Sequence, residues 1–392
     1  MYESLKRTFR ETFGRAPEYL FSAPGRTELS GNHTDHQRGC VLAGAVNLDT
    51  VAAVARNGEN RIRFLSEGYP LCELSLDELT PRPEEQGTTA ALIRGVAAGF
   101  DRQGLPLNGF DACAVSSVPA GSGLSSSAAF EVLVGCILNH LGGCGLPPET
   151  IARIGQYAEN VYFGKPCGLM DQTACAVGNI IGIDFADPAH PDIHPIDFDF
   201  SSSGHALCII DTGADHADLT DEYAAIPEEL RQVCAYFGKE VLREVPEEAF
   251  YAALPGLRQA VGDRAVLRAM HVFEENKRVA RQIAALERGD SEGFLEEVRA
   301  SGRSSWLYLQ NITPAGQTRH QEVAFTLALA QRLLGNRGGC RVHGGGFAGT
   351  IQAFVPNDLL EQFGGEMERV LGSGRCHILS IRREGGVLLE AL

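Results

Sequence analysis

The sequence has no apolar run approaching the ~20 residues that a helix needs to cross a bilayer. Its first residues, MYESLKRTFRETFG, lack the apolar core of a signal peptide. The eleven cysteines include no CxxC pair, so we expect free thiols in a reducing cytoplasm rather than a metal cluster. Basic residues are scarce, 34 against 50 acidic ones, and the formal net charge is −16. Neither nucleic acid nor an anionic membrane is therefore an expected partner.

The length and composition are those of a globular protein with ample core. The chain has 392 residues, of which 44% are hydrophobic and 21% charged, which is enough for two domains. Helical and β-branched patterns are mixed along it, without an internal repeat, and this predicts the α+β class. The polar stretch 188–203 is the best candidate for a domain boundary, which gives predicted domains of residues 1–195 and 196–392.

Two local patterns in the first half give testable expectations. Leu5, Phe9 and Phe13 are spaced four apart, which indicates one face of an opening helix. Residues 46–56 are β-branched and apolar, and residues 62–65 follow a turn at Asn57-Gly58. This arrangement predicts a hairpin.

The most informative stretch is 118–131, VPAGSGLSSSAAFE. Gly121 and Gly123 allow positive φ and close approach of a ligand, and three serines then lead into an apolar helical pattern. The free N–H groups of such a helix start form an anion site, shaped here for phosphate. No Gly-Lys-Ser/Thr closes the loop, so it is not a Walker A loop. On its own, the stretch is equally compatible with a simple turn from strand to helix.

Three further stretches are informative together with the serine-rich one. Residues 23–47 read APGRTELSGNHTDHQRGCVLAGAVN, residues 167–172 read CGLMDQ, and residues 342–350 read VHGGGFAGT. With the serine-rich loop, they resemble in order the motifs of the galactokinases, which are GHMP small-molecule kinases. The usual family forms are GRxNLIGEHTDYNxGxVLP, PxGxGLSSSA and TGGGFGG. The resemblance covers essentially the whole chain.

This resemblance implies an ATP-dependent sugar 1-kinase of carbohydrate metabolism that uses ATP and Mg²⁺. It implies a two-domain GHMP kinase fold, with an N-terminal domain like ribosomal protein S5 domain 2 and a ferredoxin-like C-terminal domain. The active site is then expected in the interdomain cleft. The expected ligands are a small-molecule sugar and ATP, and the expected state is a monomer or weak homo-oligomer.

The resemblance also assigns roles near the phosphates. Asp171 matches the family's catalytic base, and Arg26 is its expected partner; a purely structural ion pair is the alternative. Ser127 and Glu159 match the Mg²⁺ ligands, although Glu159 taken alone looks like a solvated helix carboxylate. The residues expected to bind ATP are Gly121, Ser122, Gly123, Leu124, Ser125, Ser126 and Ser127.

The sugar-binding residues implied by the resemblance are Asn32, His33, Asp35 and Tyr223. Short polar side chains on a fixed loop suit the hydroxyls of a sugar. His33 fits a structural role equally well. His216 also matches a family histidine. A structural role in supporting its loop is an equally good interpretation.

Several positions depart from the family pattern. Asn32 replaces the signature Glu that contacts the far end of the hexose, His36 replaces Tyr, Glu28-Leu29-Ser30 replaces Asn-Leu-Ile, and Ala348 replaces Gly. The exchange at position 32 predicts a high KM for galactose and relaxed discrimination at C6. Alternatives are a kinase for galacturonate or an N-acetyl-hexosamine, and a non-catalytic sugar sensor. A dinucleotide site at residues 344–349 is disfavoured, because no leading N-terminal strand and spaced acidic residue accompany it.

Overall fold

A computed structural model describes residues 2–119, 121–214 and 219–392. Its α-helices are α1 Tyr2–Phe13, α2 Thr89–Asp101, α3 Ser126–Gly142, α4 Pro148–Tyr157, α5 Met170–Val177, α6 Thr220–Tyr236, α7 Glu247–Val261, α8 Asp263–Glu287, α9 Ser291–Ser304, α10 Glu322–Leu334 and α11 Leu360–Leu371. Its strands are β1 Tyr19–Ser30, β2 Cys40–Arg56, β3 Arg61–Ser66, β4 Cys72–Ser75, β5 Phe110–Ser116, β6 Ile180–Asp184, β7 Asp192–Ile196, β8 His205–Asp211, β9 Gly339–His343, β10 Thr350–Pro356, β11 Cys376–Leu379 and β12 Val387–Ala391. This mixture confirms the α+β class. No helix in the described ranges is long and apolar enough to span a membrane.

The chain forms two compact units that interleave in sequence. The first comprises residues 1–26, 44–179 and 382–392, and the second comprises residues 27–43 and 180–381. The chain therefore passes from one unit to the other inside β1 and again inside β2. The domain ranges 1–195 and 196–392 remain a prediction, and so does the interdomain cleft.

A mixed sheet organises the first unit, in the strand order β12-β1-β2-β5-β3-β4. Strand β2 pairs antiparallel with β5, and β3 pairs with β5 in parallel. The predicted hairpin between residues 46–56 and 62–65 is therefore wrong. The chain bends at residues 58–60, but β5 lies between the two strands. Helix α1 buries Leu5 and Phe9 against this sheet, as their spacing predicts.

The second unit contains an antiparallel sheet in the order β11-β8-β10-β9. Helices α10 and α11 pack Leu327, Phe363 and Met367 against it. Helices α6, α7 and α8 form a separate apolar core around Leu230, Phe250 and other buried residues. The stretch 188–203, expected to be a polar connection, contains β7, which pairs with β6 as a hairpin.

Candidate active site

The serine-rich loop connects β5 to α3 in the first unit. Gly121 and Gly123 have φ of 74° and 73°, and Ser125 has φ of 56°, so three residues take the left-handed conformation. Ala120 lies outside the described residues. A left-handed serine is uncommon and clusters at functional sites. Ser125 occupies the N-cap position of α3, but its side chain does not cap the helix. Its hydroxyl instead donates to Asp171.

Arg26 and Asp171 form a bidentate ion pair beside this loop. Arg26 Nε lies 2.8 Å from Oδ1 of Asp171, and Nη2 lies 2.9 Å from Oδ2. The Arg26 backbone N–H also donates to the Leu124 carbonyl at 3.0 Å, and its guanidinium donates to the Gly123 carbonyl. Arg26 thus connects the Asp171 carboxylate, at the start of α5, to the backbone of the serine-rich loop.

Burial alone raises the pKa of Asp171, but nearby donors reverse that effect. The charge of Arg26 and the hydrogen bonds from Arg26 and Ser125 bring the pKa of the carboxyl below its ordinary value. Asp171 is therefore an ionised carboxylate at neutral pH. Its side chain keeps 29% of its surface exposed, against 9% for Arg26, so the carboxylate is the more accessible partner.

Ser127 and Glu159 meet next to the loop. Ser127 Oγ donates to Glu159 Oε1 at 3.0 Å, although the two residues are 32 positions apart. Glu159 is buried and lies in a π-helical segment, Ala158–Phe163, that continues α4. Such segments frequently occur at functional sites. A hydroxyl and a carboxylate are the hard oxygen ligands that suit Mg²⁺, which usually keeps waters and substrate phosphates as its other ligands.

Three residues of this cluster had no predicted role. Gln172 Nε2 donates to Glu159 Oε2 at 2.8 Å and to Glu131 Oε2 at 2.9 Å, so one amide connects two buried carboxylates. Burial, and then the charge of Glu159, raise the pKa of Glu131 well above its ordinary value. Lys165 Nζ lies 3.5 Å from Glu159 Oε1 and supplies an exposed cation. Gln172 directly follows Asp171 in the CGLMDQ motif, so its position could have indicated a role. Nothing in the sequence indicated a role for Glu131.

A cavity of about 890 Å³ adjoins the loop, entirely within the first unit. Ser126 and Ser127 form part of its lining. Its apolar walls include Tyr69, Leu71, Leu92, Val118, Phe130 and Phe163. Its volume lies in the range of small-molecule sites, and apolar walls that end at a phosphate-type loop suit a nucleotide.

The second unit brings His33 and Tyr223 to the glycine-rich stretch 342–350. His33, with φ of 60°, places Nε2 3.0 Å from the Gly345 carbonyl oxygen. The Tyr223 hydroxyl donates to the Gly346 carbonyl at 2.8 Å. Asp35 begins a short 3₁₀ turn, Asp35–Gln37. His216 lies outside the described residues.

Asn32 is in the same group but is almost completely covered. Only 1% of it is exposed, and its Nδ2 donates to the Gly344 carbonyl at 2.6 Å. Its Oδ1 accepts from Asn311 Nδ2 at 2.9 Å. The Asn32 side chain therefore cross-links the loop that contains it to Gly344 and Asn311.

Comparison with known proteins decides the family. Residues 7–56 match the galactokinase galactose-binding signature, and residues 91–179 match the GHMP kinase N-terminal domain. Galactokinase from Streptomyces coelicolor is 35% identical over 88% of this chain and 87% of its own length. The chain belongs to the galactokinase family. Galactokinase from Glaesserella parasuis is 31% identical over 90% of this chain and 89% of its own.

Solved structures agree with membership of the galactokinase family. Lactococcus lactis galactokinase, determined in complex with galactose, matches with a TM-score of 0.83 and 26% identity, covering 99% of this chain and 100% of that one. A mevalonate kinase matches with a TM-score of 0.67 at 15% identity, covering 93% of this chain and 99% of its own. The chain thus has the GHMP kinase fold, as expected from its sequence motifs.

Proposed function

We propose that this protein is a galactokinase that transfers the γ-phosphoryl group of ATP to the anomeric hydroxyl of α-D-galactose. The products are α-D-galactose 1-phosphate and ADP. The bidentate Arg26–Asp171 pair, tied to the phosphate loop through Gly123, Leu124 and Ser125, carries this proposal. It combines a carboxylate for the attacking hydroxyl with a fixed cation for the moving phosphoryl group.

Asp171 orients the anomeric hydroxyl and accepts its proton. Because its pKa is lowered, it is a weak base. Proton transfer therefore follows substantial bonding of the sugar oxygen to phosphorus, which makes that hydroxyl far more acidic. The new O–P bond forms as the bond from the γ-phosphorus to the ADP oxygen breaks. Arg26 cannot lose its proton, so it stabilises charge at the phosphoryl group throughout.

We assign the phosphates of ATP to residues 121–127 and the nucleoside to the adjoining cavity. Ser127 and Glu159 would hold Mg²⁺, since their oxygens already lie together beside the loop. The ion, when bound, supplies positive charge that neutralises the phosphates. Lys165 adds a second cation close to Glu159.

We assign the sugar to His33, Asp35 and Tyr223. The Tyr223 hydroxyl donates to the Gly346 carbonyl, which holds the ring at the glycine-rich stretch 342–350. All eleven cysteines are free thiols, which supports a cytoplasmic protein. The presence of Arg26, Asp171, Ser127 and Glu159 together favours an active kinase over a non-catalytic sugar sensor.

A sugar panel in a coupled ADP-release assay tests this proposal. The purified protein is given ATP, Mg²⁺ and one sugar at a time: galactose, glucose, 6-deoxygalactose, galacturonate or N-acetylgalactosamine. We expect galactose to give the highest kcat/KM. A higher value with galacturonate or N-acetylgalactosamine would transfer the assignment to that sugar, and no sugar-dependent ADP release would exclude a sugar kinase.

A further inference from the structure

The two oxygens of the Glu159 carboxylate have different surroundings. Oε1 accepts from Ser127 Oγ at 3.0 Å and lies 3.5 Å from Nζ of Lys165, whose side chain is exposed. Oε2 accepts from Gln172 Nε2 at 2.8 Å, and Gln172 is fully buried. One oxygen therefore faces the serine-rich loop, and the other faces a buried amide.

A second carboxylate holds Gln172 in place. Nε2 of Gln172 also donates to Glu131 Oε2 at 2.9 Å, and Glu131 is fully buried as well. Only the N–H₂ end of an amide can donate, so an amide placed between two carboxylates turns that end toward both. Each carboxylate then has one N–H group. Gln172 cannot turn away from Glu159 without leaving buried polar groups unpaired, which is costly.

Close packing of three helices leaves this amide little room to move. Gly155 of α4 packs against Glu131, on α3, and against Gln172, on α5. A Cβ at Gly155 would lie 3.2 Å from Gln172 Cγ and 3.2 Å from both Cβ and Oε2 of Glu131, closer than ordinary van der Waals contact. The small residue in α4 therefore lets the amide side chain and the Glu131 carboxylate pack tightly beside each other.

We infer that Gln172 is a positioning residue that makes Glu159 favour Mg²⁺ over Ca²⁺. Because the amide occupies Oε2, only Oε1 of Glu159 is left for an ion at the loop. A single carboxylate oxygen suits Mg²⁺, which demands octahedral geometry and keeps several waters, whereas Ca²⁺ readily takes both oxygens of one carboxylate. Glu131 contributes as the acceptor that holds the amide. This inference rests on the proposed function, in which Ser127 and Glu159 hold Mg²⁺.

Nucleotide binding in the presence of each ion tests the inference. The dissociation constant of adenylyl imidodiphosphate, a non-hydrolysable ATP analogue, is measured by calorimetry in saturating Mg²⁺ and in saturating Ca²⁺. Gln172→Met should weaken binding in Mg²⁺ about 10- to 100-fold, the usual effect of removing the hydrogen-bond partner of a metal ligand. Binding in Ca²⁺ should weaken less than about threefold, because the released Oε2 can join Oε1 on the larger ion.

Two further variants separate the role of the amide from general damage to the fold. Glu131→Gln keeps an oxygen that accepts from Gln172, so both dissociation constants should stay within about threefold of wild type. Gln172→Asn has an amide too short to reach both carboxylates. It should therefore shift the ratio of the two constants in the same direction as Gln172→Met, and it replaces that variant if the methionine protein does not fold.

Gln352→Met is the matched control. Gln352 is a fully buried glutamine of the second unit, and its Nε2 also makes two hydrogen bonds, to Thr27 Oγ1 at 2.8 Å and to the Glu28 carbonyl at 3.0 Å. Gln352→Met should lower the melting temperature and leave the ratio of the two constants unchanged.

Three results would overturn the inference. They are a wild type that binds the analogue equally well in both ions, a Gln172 variant with the wild-type ratio, and a Glu131→Gln protein that loses the preference for Mg²⁺. A wild type that shows the expected ratios but phosphorylates no sugar would contradict the proposed function and leave the inference standing.

Discussion

At the residue scale, the pairing of Arg26 with Asp171 determines what the carboxylate can do. A carboxylate with a lowered pKa stays ionised, and it directs a hydroxyl better than it removes a proton early. Asp171→Asn should therefore fold and bind galactose but lower kcat by roughly 10²–10⁴-fold. Steady-state kinetics and calorimetric sugar binding check both parts.

The matched control for Asp171→Asn is Asp263→Asn. Asp263 also forms a two-contact pair with an arginine, Arg258, at 2.6 and 3.1 Å, but both of its members are exposed. The Asp263→Asn enzyme should have the same kcat as wild type. An Asp171→Asn enzyme that keeps more than about a tenth of wild-type kcat would remove Asp171 from catalysis.

The pH dependence of kcat follows from the same pair. Because the pKa of Asp171 in the folded protein lies below its ordinary value, the active carboxylate persists as pH falls to the range where an ordinary aspartate takes up a proton. The stability that the pair contributes is likewise present above the unfolded-state pKa and is lost as pH falls through the folded-state pKa. Arg26→Lys keeps the charge but loses the bidentate geometry. It should lower kcat and move the acid limb of the pH–rate profile upward; an unmoved limb would mean that Asp171 does not set it.

The proposed metal ligands make a separate prediction. Ser127→Ala and Glu159→Ala should each raise the Mg²⁺ concentration needed for half-maximal rate at fixed ATP, with much less effect on sugar binding. Glu361→Ala, which changes an exposed carboxylate of α11, is the control. An unchanged Mg²⁺ requirement in both Ser127→Ala and Glu159→Ala would remove the assignment.

At the element scale, the turn from β5 into α3 depends on left-handed glycine. A Cβ at Gly121 would meet no atom within 4 Å, so the cost of Gly121→Ala comes from its φ of +74°. That cost is about 1 kcal/mol of unfolding free energy. Gly58→Ala is a close control, because Gly58 has φ of +69° and the same open surroundings. Urea unfolding should show similar losses for both variants, whereas only Gly121→Ala should raise the KM for ATP. Equal KM values would show that the loop does not cradle the nucleotide.

Some helices and strands could be predicted from local sequence patterns, and others could not. Helix α1 lies close to its predicted place, because the four-residue spacing of its apolar residues acts locally. The sequence predicts only a short strand at residues 19–22 before Pro24 and Gly25, but β1 continues through both to Ser30. Its residues from Leu20 onward are buried, so tertiary packing overrides two residues that usually interrupt strands. Helices α7 and α9 were not predicted; Pro255 inside α7 breaks its helical signal.

At the scale of the whole molecule, the sequence motifs predicted the GHMP kinase fold and a candidate site, but not how the chain divides into two compact units. Arg26 and Asp171 are 145 positions apart, and only their separate motifs connected them before the structure showed their contact. Glu131 and Gln172 had no assigned role, because their importance arises from contacts with each other and with Glu159. The interleaving of the two compact units likewise depends on long-range pairing that no local pattern reports.

The most direct test of the central claim is identification of the product. The protein is incubated with ATP, Mg²⁺ and galactose, and the sugar phosphate is examined by proton–phosphorus correlation NMR. Coupling of the new phosphorus to the anomeric proton of α-galactose is the predicted result, and it should disappear in Asp171→Asn over the same incubation. A phosphate on any other hydroxyl, or ATP consumption without a sugar phosphate, would contradict the account.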